Sequence, residues 1–424
     1  MSNQYKAPNG NTGLYDRRAN GSPLSSPERM HSLDALRAIA LLAVVFAHTA
    51  MSFAVKCPPG WAACDSSKSF LFDFFIFAIV GFAMQIFFLL AGYFSVSLIF
   101  KKGLTEYVRN RMKRIVVPFI LSLIIIVPIM QIVGLYGSSR KITTNVAELG
   151  FRTSVVNFFT SSKYFKFFTL GHLWFLWYLI LLYILLVIII IFVRHIPKLA
   201  YINKWFAALL KSPVKPLLFA IPTIGFMLPM NFIIDTPLSI FPEFHILAFY
   251  AFFFCVGIML VRQPQFFSMR KNYWGFYLIS AFFIFLPATL LIIMKASVAA
   301  EMKASNYYVA AITCFATYIW LMIFGLIGLF GRYASRPIAV ILYLSEASFW
   351  VYLIHFPFVL LLQILVKDWK QPAILKFIIL SCLLTIILLG SYELFVRRTF
   401  MGKILNGKRT FPDLIIPVKH IEQE

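Results

Sequence analysis

Apolar residues in this chain come in long unbroken blocks rather than in alternation or in one-sided helical stripes. Ten blocks stand out, near 33–54, 80–100, 114–134, 172–193, 215–234, 245–261, 274–294, 307–330, 344–366 and 375–396. Most reach the ~18–20 residues that carry an α-helix across a bilayer core. Backbone groups in lipid need partners within the chain, so such blocks predict helices and not strands. The pattern defines an all-α, polytopic integral membrane helical bundle of about ten transmembrane helices. Two places interrupt it. Segment 70–79 reads as a stretch along the outer surface, and the Pro-rich 213–242 reads as a break.

Polar patterning bounds the domains. Residues 1–30 are rich in Asn, Gly, Ser and Pro and show no apolar signal-peptide region, so a disordered cytoplasmic tail is expected, with the first helix as targeting element. Residues 31–400 form the membrane domain, and 401–424 a basic cytoplasmic tail. The two halves show no convincing internal repeat, which weakens the inverted-repeat architecture of many transporters. Loop 135–171, with GSSRKITTN and a Phe-rich amphipathic stretch, is placed to shape an outer entrance. Segment 194–214 reads as a basic helix on the inner surface.

Composition agrees with this picture. Charged residues make up 13% of the chain, against roughly 25% in an ordinary soluble domain. The net charge of +23 raises nucleic acid as a partner, but its placement removes the need for one. With the N-terminus inside, 26 of the 39 Lys and Arg fall in inner segments and 12 in outer ones, Arg37 lying within the first span. The positive-inside rule therefore selects both termini in the cytoplasm, and membrane lipids rather than nucleic acid as the surroundings. Most of the 47 Phe lie in the spans and read as packing and lipid-facing surface. Trp174, Trp177, Trp274, Tyr307 and Tyr308 fall near span ends, as interface anchors do.

Within the first span, Arg37 and His48 are separated by ten uncharged residues. Eleven helical steps of about 100° bring both to one face, roughly 16 Å apart along the axis. Ionisable groups at membrane depth are costly and point to a functional site. The plainer alternative has Arg37 snorkelling to the interface and His48 bonding a neighbouring helix. Asp34 lies one turn before Arg37, where a local ion pair is its expected role. Arg111 and Arg114, three residues apart, share a face at the inner mouth with Lys101, Lys102, Arg109 and Lys113 close by. This rim can serve as contact with anionic lipid, or as a site for a soluble polyanion whose phosphates Arg grips bidentately.

His172 and His355 are two further histidines at membrane depth, with Glu346 and Glu393 near the inner ends of their spans. Each histidine alone reads as a satisfied packing group; together with His48 they point to a shared cavity. Cys255, Cys314 and Cys382 read as small core residues. Cys57 and Cys64, in the first outer loop, either close a short loop in an oxidising compartment or stay as thiols. No metal-ligand spacing and no phosphate-cradling Gly-rich loop is present, so neither a metal nor a tightly bound cofactor is expected.

These residues resemble the membrane acyltransferase-3 family. Its first helix carries Arg, ten residues and His, here Arg37 and His48 preceded by Leu33-Asp34. FFLLAGYFS, then Arg111-Met112-Lys113-Arg114 with Ile115-Val116-Val117-Pro118, is similar to its next signatures. HLWFLWYLI and SFWVYLIHFP are similar to its later ones. The resemblance covers approximately residues 31–405. Within the family, MQIFFLLAGYFS, GHLWFL, ASFWVYLIHFP and the closing YELFVRR are most similar to the branch that succinylates osmoregulated periplasmic glucans.

The resemblance implies a multi-pass protein of the bacterial inner membrane. It implies acyl-CoA, with succinyl-CoA favoured, as a co-substrate from the cytoplasm. The implied acceptor is a hydroxyl of a periplasmic glucan or another envelope carbohydrate. The Arg37–His48 spacing suits coenzyme A inserted lengthwise. Arg37, Arg111 and Arg114 would hold the anionic donor, and a neutral His48 would act as general base. Direct attack on the thioester and transfer through an acyl-His intermediate are both open. Asp34, His172, Trp174, Tyr352 and His355 are the expected lining, with Trp174, Tyr352 and His355 as candidate oxyanion donors. Two rivals remain: an O-acetyltransferase of lipopolysaccharide or capsule, and a polyanion transporter using the same basic mouth and buried histidines.

Overall fold

The computed structural model describes residues 31–58, 61–139, 147–160, 169–192, 199–230, 234–264, 266, 273–297, 306–399 and 402. Both expected tails, Gly402 apart, and most of GSSRKITTN lie outside the described residues. Among those described there is no strand. The helices are α1 His31–Ala50, α2 Phe70–Val80, α3 Ala83–Arg111, α4 Val117–Ser139, α5 Ala147–Thr160, α6 Trp174–Phe192 and α7 Leu199–Lys211. They continue with α8 Lys215–Met227, α9 Phe244–Leu260, α10 Trp274–Ser297, α11 Asn306–Tyr333, α12 Ala339–Val366 and α13 Ala373–Tyr392.

Seven apolar helical segments among the described residues are long enough to cross a membrane. One of them, Phe70–Gly137, contains α2, α3 and α4 and so holds two of the expected spans. The expected span 215–234 is revised. It becomes α8, 13 residues or about 20 Å long, bent 119° from α7, and too short for a ~30 Å core by itself. Proline is the cause: Pro216 starts the helix, Pro222 sits inside it, and Pro229 follows its end. Helix α9, 17 residues long, lies at the lower end of the lengths that cross a bilayer.

Segment 70–79 does not lie along the outer surface. Its helix α2 is pinned at the outer loop, where the Asp73 carboxylate accepts from the Val55 and Lys56 amides at 2.8 and 3.1 Å. It then runs inward until Ala78 accepts a hydrogen bond from Tyr318, near the middle of α11. Gly81 and Phe82 break the helix before α3, so α2 and α3 form one broken span.

Helix α1 packs against α2, α3, α11, α12 and α13, which makes it the central element. Helices α3 and α9 cross at two glycines. A Cβ on Gly92 would run into the Phe254 carbonyl, and one on Gly257 into the Leu89 carbonyl. Beyond the crossing the pair is sealed by aromatic stacking, with Phe88 on Tyr250 at 4.5 Å. The outer loop is equally constrained. Cys57 and Cys64 are disulfide-bonded, and the neighbouring Asp65 forms a fully buried ion pair with Lys376 at 2.8 Å.

Several residues sit differently from expectation. Trp174 and Tyr308 are core residues and not interface anchors: Trp174 packs on Tyr178 and Tyr250, and the Tyr308 hydroxyl donates to the Met230 carbonyl. Cys255 and Cys382 face outward from the bundle, because lipid accepts a small apolar side chain as readily as a core does.

Gly257→Ala should therefore force α3 and α9 apart and cost about 1–3 kcal/mol, as overpacking does. Thermal unfolding of the detergent-solubilised protein measures it. A half-buried glycine with open space around it, Gly275, provides the control and should tolerate alanine.

Candidate functional site

Helices α1 and α12 run side by side in the same direction and meet at two rungs. At the inner rung Arg37 Nη2 donates to the Ser345 hydroxyl at 2.8 Å, while Asp34 stands 3.5 Å from the same guanidinium. At the outer rung His48 Nδ1 lies 3.1 Å from His355 Nε2. The rungs are eleven residues apart on α1 and ten on α12, so the two helices keep step over both.

The outer rung is part of a larger cluster. The His172 ring lies edge-on to His355, with centroids 5.1 Å apart, and stacks flat on Phe356. His48 meets the same Phe356 edge-on. Proline explains why His172 fits here. Pro357 has no amide N–H to offer the carbonyl four residues back, that of Leu353. His172 Nε2 takes the vacancy, donating to the Leu353 carbonyl at 3.1 Å. One residue earlier, the Tyr352 carbonyl accepts from His355 Nδ1 at 2.7 Å. The Tyr352 hydroxyl in turn donates to the His172 carbonyl at 2.7 Å. Three histidines, each from a different helix or turn, are thus held on one face of α12.

A second set of contacts closes the outer side. Gln363 donates to the His48 and Thr49 carbonyls, both at 2.9 Å, which satisfies backbone groups left open at the end of α1. Its own carbonyl oxygen accepts from the Trp61 indole at 3.0 Å. Trp61 also packs edge-on against Phe356 and sits within the loop that Cys57 and Cys64 close.

From the inner side a cavity of about 620 Å³ runs towards this cluster. Its mouth is cationic: Arg37, Lys101, Lys102, Arg111 and Arg114 line it, with Asp34 and Glu346 among them. Deeper in, the lining turns apolar through Leu41, Phe87 and Phe175 and reaches Tyr352. Tyr352 lies next to both buried histidines, its ring 5.6 Å from His172 and 6.1 Å from His355. This volume falls within the ~300–1,000 Å³ of small-molecule sites.

Local backbone features aim the arginines. Gly103, at φ +82°, breaks α3 between its apolar half and its basic extension, a conformation that suits a residue without Cβ. A single π-turn, Met112–Val116, follows and includes Arg114. Such turns recur at functional sites because they redirect side chains. The Arg111 guanidinium lies over Tyr183 and Tyr107, with centroids 4.8 and 5.2 Å away. Two ring faces orient it by cation–π attraction.

The expected site residues divide cleanly. Arg37, Asp34, Arg111, Arg114 and Tyr352 line the cavity, and His48, His172 and His355 gather at its end. Trp174 is turned towards Tyr178 and Tyr250, away from the histidines. Glu393 pairs with Arg397 at 2.7 Å on its own helical turn. Ser345, Gln363, Trp61, Tyr107 and Tyr183 are site-shaping residues that sequence reasoning missed. Only the His-Phe-Pro run carried a usable signal, since a proline within a span frees a carbonyl for a polar partner. Among the described residues no group of three or more His, Cys, Asp or Glu could hold a metal ion.

The fold and site together define a multi-pass membrane protein with a cation-rimmed inner cavity leading to a cluster of histidines. Residues 30–393 match the family whose description reads "Acyltransferase domain", and the chain belongs to this acyltransferase-3 family. It is therefore an acyltransferase, of a family that acts generally on envelope polysaccharides. Among curated proteins and among solved structures, none matches the chain.

Gln363→Leu should loosen the end of α1 that presents His48. It leaves two carbonyls and one indole N–H without their partner, a loss of about 1–3 kcal/mol. Thermal unfolding reads the stability, and turnover measured well below the melting point reads the effect on His48.

Proposed function

We propose that this protein moves a succinyl group from succinyl-CoA, bound from the cytoplasmic side, to a hydroxyl of a periplasmic glucan. One observation carries the reading: the inner cavity begins at a rim of five cations and ends at Tyr352, beside the histidine cluster. A donor with an anionic nucleotide head and a long slim arm ending in a thioester has this shape and charge order. The choice of succinyl and of a glucan acceptor rests on the wording of the motifs in the second, fourth, ninth and tenth expected spans.

Arg111 and Arg114 take the phosphates at the mouth. Arg37, one rung below His48 and tied to Ser345, faces the arm of the donor. His48 is the only one of the three clustered histidines that is not buried, which supports it as the group that meets the acceptor hydroxyl. In the direct route the acceptor hydroxyl gives its proton to His48 as its oxygen bonds to the thioester carbon. The tetrahedral intermediate collapses with cleavage of the carbon–sulfur bond. The CoA thiolate takes up the proton from the imidazolium and leaves towards the cytoplasm as the free thiol. General-base help of this kind supplies about 10²–10⁴ in rate, and alignment of hydroxyl and thioester adds more.

Purified protein offered succinyl-CoA and periplasmic glucan should release CoA and succinylate the glucan. His48→Ala should lower turnover by about 10²–10⁴ while donor binding persists. Preference for acetyl-CoA, with an O-antigen or capsular acceptor, would keep the mechanism and replace the substrates. Undiminished transfer by a folded His48→Ala protein would overturn the role of His48. Flux of a polyanion across liposomes without thioester cleavage would replace catalysis by transport.

Arg111→Gln and Arg114→Gln should each weaken CoA binding about 10-fold or more, the equivalent of one lost charge-assisted hydrogen bond. Calorimetric titration with CoA measures this, and the loss should shrink as ionic strength rises.

A further inference from the structure

The contact between two histidines has a consequence for which nitrogen of His48 can act. A backbone carbonyl only accepts hydrogen bonds. His355 Nδ1 stands 2.7 Å from the Tyr352 carbonyl oxygen, so that nitrogen carries a proton. In the neutral ring the other nitrogen, Nε2, is then a bare lone pair. It faces His48 Nδ1 at 3.1 Å. The contact is a hydrogen bond only when His48 Nδ1 bears the proton, and His48 Nε2 is then left as the lone pair.

We propose that His355 is a positioning residue that holds His48 in the Nδ1–H tautomer, so that Nε2 is the atom that receives the acceptor's proton. The proposal rests on the acyltransferase reading of His48. The chain of bonds runs from the Tyr352 carbonyl through both nitrogens of His355 to His48. It resembles a catalytic triad in logic, with a carbonyl and a second imidazole in place of a carboxylate. When His48 becomes an imidazolium, its Nδ1–H still points at the lone pair of His355 and its new charge is stabilised there.

The surroundings suit such a role. His355 is fully buried, so no bulk water competes for either nitrogen. Its ring is wedged between those of His48 and His172, with centroids 5.2 and 5.1 Å away. The turn that carries it is fixed from outside the helix, through His172 on the Leu353 carbonyl and Tyr352 on the His172 carbonyl. With both nitrogens engaged, His355 has no N–H to offer an oxyanion. The Tyr352 hydroxyl, committed to the His172 carbonyl, is likewise occupied. Two of the three candidate oxyanion donors are thereby reassigned to orienting the base.

The deciding measurement is nitrogen NMR of the full-length protein labelled at histidine, in lipid nanodiscs. Signals of His48 are identified as those lost in His48→Gln. The wild-type protein should show His48 protonated on Nδ1 with Nε2 bare. In His355→Phe, which keeps an aromatic ring but removes the acceptor, His48 should become a mixture of both tautomers. Turnover of succinyl-CoA with glucan should fall about 10²-fold or more, as happens when a catalytic histidine loses the group that orients its ring and stabilises its imidazolium. The donor KM should stay unchanged, because donor contacts are untouched. His355→Gln, whose amide oxygen can accept from His48, should regain part of the turnover.

A wild-type His48 protonated on Nε2 would overturn the proposal, and this result needs no variant to fold. So would a His48 tautomer unaltered in His355→Phe, or equal losses in the Phe and Gln variants with a raised KM. Absence of thioester cleavage by the wild-type protein would instead sink the acyltransferase reading, and the tautomer spectrum would still decide the role of His355.

Discussion

The pairing of α1 with α12 is the constraint on which the rest of the site depends. A polar contact at each of two levels, Arg37 with Ser345 and His48 with His355, locks the two helices in register and in rotation. At the buried His355 rung water cannot replace the contact, so slipping one helix by a single residue would leave polar groups there unpaired. Gln363 repeats the device at the outer end, bonding the last carbonyls of α1. The spacing between Arg37 and His48 is thus set by backbone geometry, at 1.5 Å per residue, and not by flexible side chains.

Around that pair the chain separates two chemical environments. The inner end is polar and cationic, built on the broken C-terminal part of α3 and the turn that follows it. There, a glycine with positive φ and a π-turn give the arginines their directions, and tyrosine faces hold Arg111. The outer end is closed by a loop tied down through a disulfide, a buried Asp65–Lys376 pair and the Trp61–Gln363 bond. The transfer proposed above, with donor and acceptor arriving from opposite sides, would need such a division.

The tight crossing of α3 and α9 serves the same end at a distance. Gly92 and Gly257 let the two backbones touch, and Phe254 beside this crossing packs on Tyr183, which lines the cavity. Small residues at a crossing are the usual means of close helix approach in lipid, where no hydrophobic force drives helices together.

Much of the molecule could be read from residue order alone. Long apolar blocks must be helices in lipid, so the fold class follows directly. The eleven-residue step from Arg37 to His48 and the three-residue step from Arg111 to Arg114 likewise follow from helical periodicity. What tertiary structure alone decided concerns contacts between residues distant in sequence. His48 and His355 are 307 positions apart, and His172 and Leu353 are 181 apart. Local pattern cannot specify which helix faces meet, because lipid-facing and core-facing surfaces are equally apolar in a membrane protein. For the same reason Trp174 and Tyr308 lie in the core and not at the interface, while Cys255 and Cys382 face outward; the short α8 has another cause, its prolines. Periodicity set where each side chain sits on its own helix; packing between helices decided which of them became one site.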